Sequence, residues 1–173
     1  MPALSLSTSP RVKPAHPMTS SQVDKREWVL AAPFRAHVVH LVENAQVPWP
    51  IVAYQAGVPL ATLRTLLFGR GGKARTKITK QAATRLLELH VDDLSWMRIS
   101  QVSSERAGAR IRRLRGLHIT WDHICEFLHL DQGTCQAIAR GEDTWCSVMV
   151  DILAQCACEV AGFDSWDDLG ARS

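Results

Sequence analysis

The sequence lacks the features that mark membrane and secreted proteins. It contains no run of 18 apolar residues, which argues against a membrane-spanning helix. Residues 1–21 hold prolines among serines and threonines, without the apolar core of a secretion signal. We expect residues 1–23 to form a disordered arm and the protein to be cytoplasmic, with no membrane partner.

Cysteine is absent from the first 124 residues. The five cysteines, at positions 125, 135, 146, 156 and 158, match no C-x-x-C zinc or redox pattern. Cys125 and Cys135 correspond to Ala53 and Leu63 in the internal repeat described below. We interpret them as small buried thiols in a reducing compartment. A metal or iron–sulfur site that uses Cys156, Cys158 and a nearby histidine is the alternative.

Residues typical of catalytic sites are also scarce. The chain has a single tyrosine and no serine-elbow or H-E-x-x-H motif. His118, His123 and His129 lie close together in sequence but complete no ligand pattern. The Gly-Gly-Lys at 71–73 lacks the spacing and the preceding strand of a phosphate-binding loop. We therefore expect no enzymatic activity, no metal site and no cofactor.

The chain does contain an internal repeat. Residues 49–69 align without a gap with residues 121–141, at a constant offset of 72. Apolar residues recur in register at Val39/Ile111, Val42/Leu114, Val47/Ile119, Trp49/Trp121, Val52/Ile124, Val58/Leu130 and Leu66/Ile138. This repeat predicts two small helical units in tandem.

Charge separates the two halves of the chain. Residues 1–115 hold 18 Lys+Arg and 7 Asp+Glu, whereas residues 116–173 hold 2 and 10. The overall charge of +3 thus combines a half at +11 with a half at −8. Such an asymmetry indicates that nucleic acid contacts the first half and a different partner contacts the second. An incidental difference in surface composition is the alternative.

Apolar periodicity, prolines, glycines and capping residues predict helices and no convincing strand. The predicted helices cover residues 34–45, 50–56, 59–68, 80–89, 104–117, 121–128, 132–140 and 146–161, with a further short helix over 24–31. The predicted fold is therefore all-α, with two helix-turn-helix units of about four helices each. The units span residues 24–90 and 104–173, and residues 91–103 link them.

The first unit carries the residues that a helix-turn-helix needs. They are a small residue at the helix contact, a turn residue and apolar residues that hold the second helix. These are Ala53, Gly57, Val58, Leu63 and Leu66. The segment resembles the helix-turn-helix of phage repressors and Cro-like regulators, and the tandem arrangement resembles double-unit proteins of actinobacteria and their phages. The resemblance covers residues 34–89 well and 104–161 more loosely.

The resemblance implies that the helix after Pro59 lies in the major groove of DNA. Its outward residues would be Leu60, Ala61, Thr62, Arg64, Thr65 and Phe68. Arg64 is suited to a bidentate contact with guanine, and the threonines to bases or phosphates. Leu60 is equally compatible with a position in the core.

A basic segment follows this helix directly. Its cations are Arg70, Lys73, Arg75, Lys77 and Lys80. We predict that they neutralise DNA phosphates, with the two glycines at 71 and 72 letting the backbone follow a groove. A solvated basic loop without a partner is the alternative.

The second unit keeps the repeat but not these charges. Glu142 and Asp143 stand where the basic segment begins, and His129 replaces the turn glycine. We predict a role in dimerisation or partner binding, with weaker DNA binding as the alternative. Arg106, Arg110 and Arg113 form a stripe on the preceding helix. From it we predict secondary phosphate contacts, with pairing to the acidic half of a second subunit as the alternative.

Together these features predict a sequence-specific transcriptional regulator that binds double-stranded DNA. We expect a homodimer of repressor type that blocks a promoter or operator. The second interpretation is a non-catalytic phage or bacterial adaptor. It would bind a recombinase or RNA polymerase through the acidic C-terminal unit.

Overall fold

The computed structural model describes residues 27–162, and 66% of these residues lie in helices. The helices are α1 (Ala32–Ala45), α2 (Trp49–Ala56), α3 (Leu60–Phe68), α4 (Lys80–Leu87), α5 (Asp92–Ile99), α6 (Glu105–Gly116), α7 (Trp121–Leu128), α8 (Gln132–Arg140) and α9 (Val148–Ala161). Four short strands accompany them in this part of the chain: β1 (Trp28–Leu30), β2 (Lys77–Thr79), β3 (Gln101–Ser103) and β4 (Trp145–Ser147). The predicted all-α class is confirmed, while the predicted arm, residues 1–23, lies outside the described residues.

The repeat appears in the structure as two units with the same order of elements. The first unit, residues 28–87, runs β1–α1–α2–α3–β2–α4, and the second, residues 101–161, runs β3–α6–α7–α8–β4–α9. In each unit the two strands pair antiparallel and form a two-stranded ribbon. The helix pairs α2–α3 and α7–α8 keep the offset of 72 residues. The ribbon thus ties the start of each unit to its last helix.

The alignment of α1 with α6 differs by one residue from the prediction. Val38 and Leu41 are buried, and their counterparts in α6 are the buried Ile111 and Leu114. The predicted partner of Ile111 was Val39, which is 39% exposed. The offset is therefore 73 before the α1–α2 turn and 72 after it. Adjacent apolar residues in α1 concealed this shift, because either register satisfies an apolar match.

Side-chain caps begin several helices at the predicted residues. The hydroxyls of Thr79 and Thr120 and the carboxylate of Asp131 accept hydrogen bonds from backbone N–H groups in the first turns of α4, α7 and α8. Ser104 was also predicted to cap its helix, but its hydroxyl instead donates to the carbonyl of Asp143. That bond joins the start of α6 to the segment before β4.

Two short predictions near the strands were wrong. The helix predicted over residues 24–31 is replaced by β1, and Pro33 stands in the first turn of α1 instead of interrupting a helix. The last helix begins at Val148 rather than Cys146, because residues 145–147 form β4. Three-residue strands show too little alternation to be recognised in a sequence, and their pairing partners lie more than 40 residues away.

The segment predicted as a linker, residues 91–103, forms α5 and β3. Helix α5 packs against α1 and α2 of the first unit and against α9 of the second. Helix α9 also packs against α2, and the Cys156 thiol lies 4.0 Å from the carbonyl oxygen of Pro50. The buried apolar residues of both units belong to one continuous core. The two repeats are therefore packed together and not strung on a flexible connection.

A helix must be long and apolar along its whole length to span a membrane. Among residues 27–162, none of the helices has both the length and the apolar character needed to cross a bilayer.

Candidate nucleic-acid interface

The turn between α2 and α3 fixes where α3 begins. Gly57 adopts a left-handed conformation (φ 61°), and its N–H donates to the carbonyl of Tyr54 at 3.0 Å. The N–H of Val58 donates to the carbonyl of Ala53 at 2.9 Å, and Ala53 is fully buried. These bonds close α2 and turn the chain sharply into α3. The small residue and the turn glycine thus occupy the places that the sequence predicts.

Helix α3 has one buried and one partly open side. Leu63 and Leu66 are fully buried, while Ala61 and Phe68 are exposed. Leu60 is half-buried and packs against the core, so its side chain serves partly as a core residue. The three polar residues predicted to face DNA, Thr62, Arg64 and Thr65, are also half-buried.

Two of the predicted α3 contacts already have partners within the protein. The hydroxyl of Thr65 donates to the carbonyl of Ala61 at 2.6 Å. The ring of Phe68 meets that of Trp49 edge to face, with centroids 6.1 Å apart. Thr65 and Phe68 therefore contribute to the helix and its packing.

The two glycines after α3 make a tight turn rather than an extended loop. Gly71 and Gly72 both have positive φ (57° and 76°), and Arg70 and Lys73 exchange two backbone hydrogen bonds at 3.0 and 3.1 Å. Whether this turn follows a groove of DNA stays a prediction. The turn displays two exposed cations, Arg70 and Lys73, directly after the exposed end of α3. We call residues 70–73 the basic hairpin.

Gly69 makes the close approach behind this hairpin possible. A Cβ on Gly69 would lie 2.3 Å from the carbonyl oxygen of Lys73, so the backbone of the hairpin would have to shift to admit it. Its φ of 75° also lies in the region that favours glycine. The conformation of residue 69 thus determines how the basic hairpin folds back.

Arg35 attaches the basic segment to the rest of the first unit. This α1 side chain donates from Nε to the carbonyl of Leu66 at 2.7 Å and from a terminal nitrogen to the carbonyl of Arg75 at 2.8 Å. The first bond satisfies a carbonyl near the end of α3, and the second holds the chain after the hairpin. Sequence reasoning missed Arg35, because a single arginine on a helix carries no signal of its distant partners.

The other cations of the basic segment differ in their surroundings. Lys77 is exposed on β2, opposite Leu30. Arg75 donates from Nε to the carbonyl of Lys77 at 2.9 Å, and its guanidinium lies 5.8 Å from the ring centre of Trp28. These contacts give Arg75 a role in the structure of the ribbon as well as a positive charge.

Lys80 forms an exposed ion pair with Glu27, with 2.6 Å between Nζ and Oε2. The hydrogen bond between the two groups, and then the attraction between their opposite charges, raise the pKa of Lys80 and lower that of Glu27. Both groups are therefore charged at neutral pH, and Glu27 reduces the positive potential at this end of the segment.

The predicted arginine stripe on α6 is interrupted at its centre. Arg110 points to α9, where it lies 2.6 Å from Oδ1 of Asp151 and 3.1 Å from Oε1 of Gln155. Both members of this ion pair are less than one-quarter exposed. Arg106 and Arg113 remain exposed. Periodicity places the three arginines on one side of α6, but α9 packs against this side and its Asp151 and Gln155 bind Arg110.

The second unit presents a different surface at the equivalent place. Only three residues separate Gly141 from β4, whereas seven separate Gly69 from β2. Arg140 forms an ion pair with Glu142, with 2.8 Å between Nε and Oε1. His129, which stands where the first unit has Gly57, adopts the same left-handed conformation (φ 53°). Residues 132–147 therefore repeat the scaffold of the first unit without its basic hairpin.

Charge is divided less sharply between the units than between the halves of the sequence. The five arginines of α6 are counted in the basic half, although α6 belongs to the second unit. Residues 100–162 hold six Lys+Arg and eight Asp+Glu. The acidic character of the second unit is thus concentrated beyond α6.

The cysteines are free thiols, and four of the five are buried. The prediction that Cys125 and Cys135 lie in the core is confirmed. Burial raises the pKa of Cys135 and of Cys156 to about 12 and that of Cys146 to about 11. Within residues 27–162, no group of three metal-ligating side chains lies close enough to hold an ion.

We expect the native protein to resist alkylation. At about pH 8, a thiol with a pKa near 12 reacts with iodoacetamide at least ~100-fold more slowly than one with an ordinary pKa, because the thiolate is the reactive form. Cys158, which is half-buried, should react first. Mass spectrometry of the native and guanidinium-denatured protein measures both rates. Rapid modification of Cys135 in the native state would contradict the buried assignment.

Comparisons with known proteins identify no relative. No family model, curated protein or solved structure matches the chain.

Proposed function

We propose that the protein is a sequence-specific, DNA-binding transcriptional regulator of repressor type that acts in the cytoplasm. The observation that carries the proposal is the position of the basic hairpin directly after the exposed side of α3. A helix of nine residues has the size to enter the major groove, and cations beside it are suited to the flanking phosphates. Binding of this kind would block access of RNA polymerase to a promoter or operator.

In this proposal the residues of the first unit have distinct tasks. Arg64 and Thr62 contact base edges from α3, while Arg70 and Lys73 neutralise phosphates from the hairpin. Lys77 adds a further exposed cation on β2. Arg35 positions the basic segment without contacting DNA itself. Among the predicted secondary contacts, Arg106 and Arg113 are exposed, but the ion pair with Asp151 makes Arg110 unsuited to bind a phosphate.

The second unit is proposed to mediate dimerisation or to bind a protein partner. Supporting this role, Trp145 on β4 is 62% exposed and follows the acidic residues Glu142 and Asp143. Exposed tryptophans are frequent anchors at protein interfaces. The same observation favours the second candidate function, a non-catalytic adaptor that binds another protein through this unit.

Site selection from random duplex DNA, followed by gel shifts over a range of salt concentrations, tests the proposal. A regulator is expected to enrich one motif and to bind it with an affinity that falls steeply with salt. An adaptor would enrich no motif and show weak binding to all sequences. That second result would leave the adaptor as the supported function.

Arg64→Ala is expected to weaken binding to the selected site by about 1–3 kcal/mol and to relax base preference at one position. The reason is the loss of a guanidinium from the side of α3 that is proposed to meet the bases. Arg98→Ala is the matched control, because it removes the same charge from α5, where Arg98 donates to Gln46 at 2.6 Å. Equal binding by wild type and Arg64→Ala would show that α3 does not read the sequence.

A further inference from the structure

An open groove of about 920 Å³ lies on the first unit, beside the first turn of α3. One wall comprises the α2–α3 turn and the first turn of α3, including Pro59 and Thr62. The other comprises the outer side of α4 and the adjoining ribbon. A volume of this size is typical of sites for small molecules, which occupy roughly 300–1,000 Å³.

The groove has more polar residues than a site for an apolar ligand. Arg75, Lys80 and Arg85 line it, together with the carboxylates of Glu27 and Glu88. The cations exceed the anions by one, and Glu27 is already paired with Lys80. Hydroxyl and amide side chains, from Thr62, Thr79, Gln81 and Thr84, supply additional hydrogen-bonding groups. This lining fits a polar ligand with a negative charge.

An aromatic ring stands at one end of the groove. Trp28 is 48% exposed, and the Arg75 guanidinium approaches it to 5.8 Å. Arg75 donates from Nε to the carbonyl of Lys77, which fixes its guanidinium beside the ring. An exposed tryptophan beside a cation is suited to stack on a flat, electron-rich ring.

A second cation lies farther along the groove. Arg85 is five residues after Lys80 on α4, which corresponds to about 7.5 Å along the helix axis. It donates from Nη1 to the carbonyl of Gly57 at 2.7 Å, and this bond holds its guanidinium beside the first turn of α3. Pro59 provides no side-chain cap for α3, so the positive end of that helix adds to the charge of Arg85.

We propose that this groove binds a free nucleoside phosphate, with the base against Trp28 and the phosphate near Arg85. The exposed aromatic ring, the polar lining and the excess of positive charge match a ligand with a flat base at one end and an anion at the other. The groove shares Thr62, Arg75 and Lys80 with the predicted DNA contacts, but not Arg64, Arg70 or Lys73. Binding of a free nucleoside phosphate can therefore be measured without DNA, whether or not α3 binds DNA.

Calorimetric titration of the full chain with the four ribonucleoside monophosphates, their nucleosides and inorganic phosphate tests the proposal. We expect saturable binding of at least one monophosphate, tighter than binding of its nucleoside. Trp28→Ala should weaken binding of the monophosphate about tenfold or more. Trp145→Ala is the matched control, since it removes an exposed tryptophan from the other ribbon, and it should leave binding unchanged.

Two further variants separate ligand contacts from effects on folding. Arg85→Gln should reduce the preference for the monophosphate over the nucleoside. A loosened fold would instead lower the affinity for both ligands. Thr84→Glu places a negative charge in the groove from an exposed position of α4. It should lower the affinity for the monophosphate and leave that for the nucleoside unchanged. Thermal unfolding of each variant monitors the fold. Absence of binding up to about 1 mM, binding unaffected by these variants, or binding of oligonucleotides only would overturn the proposal.

Discussion

Replacing Arg70 and Lys73 by alanine is expected to lower the affinity for duplex DNA on the order of 10–100-fold at about 0.1 M salt. These cations are exposed on either side of the two glycines of the basic hairpin, and their backbones exchange two hydrogen bonds that do not depend on the side chains. Their removal should therefore leave the fold intact. Arg75 is left in place, because its contacts with Trp28 and Lys77 make it part of the ribbon.

The salt dependence of binding shows whether the two cations bind phosphates. Removing one cation that neutralises a phosphate should reduce the slope of log K against log salt by about 0.9, so the double variant should reduce it by about 1.8. Arg106→Ala with Arg113→Ala makes the same change in net charge on α6 and should have a smaller effect. An unchanged slope in the Arg70 and Lys73 double variant would contradict phosphate binding at the hairpin, and equal reductions in both double variants would show that the predicted contacts on α6 neutralise as many phosphates as the hairpin does.

Gly108→Ala is expected to destabilise the protein by about 1–3 kcal/mol, although alanine is the better helix former. A Cβ at this position would lie 2.6 Å from the carbonyl oxygen of Ile138, because α6 and α8 cross closely there. The neighbouring Arg112 donates to the carbonyl of Ala139 at 2.6 Å and holds the two helices together. The helices must separate to admit the methyl group.

Gly116→Ala in the same helix provides the control. Nothing lies within 4 Å of a Cβ at Gly116, so this substitution should stabilise the protein by up to about 1 kcal/mol. For a chain of this size, 1 kcal/mol shifts the melting temperature by roughly 2–4 °C. Differential scanning calorimetry should place the two variants on opposite sides of the wild type. A melting temperature for Gly108→Ala above the wild type would show that α6 and α8 lie farther apart than described.

The close crossing at Gly108 illustrates how equivalent places in the two units differ. At the corresponding position of α1, Arg35 spans the gap to α3 and donates to the carbonyl of Leu66. In the second unit glycine replaces the arginine, and the helices meet directly. The sequence repeat predicts that both helix pairs exist. It does not predict their separation, which depends on the side chains that fill each contact.

The sequence by itself determined the helix-turn-helix segments, because their signals are local. Gly57 and Gly141 end helices in left-handed conformations, and Thr79, Thr120 and Asp131 begin them with side-chain hydrogen bonds. Each such signal acts within a few residues, so the order of the chain alone carries it. The apolar match at an offset of 72 likewise predicted both helix pairs.

Only the tertiary structure decided which side chains remain available at the surface. Arg110 was assigned to a basic stripe, but packing of α9 on α6 pairs it with Asp151, which lies 41 residues away. The ribbons form between strands that are too short to show alternation in the sequence. The predicted linker contains α5 and β3, because α5 packs in the core that both units share. These outcomes depend on contacts between residues far apart in sequence, and a local pattern contains no information about a distant partner.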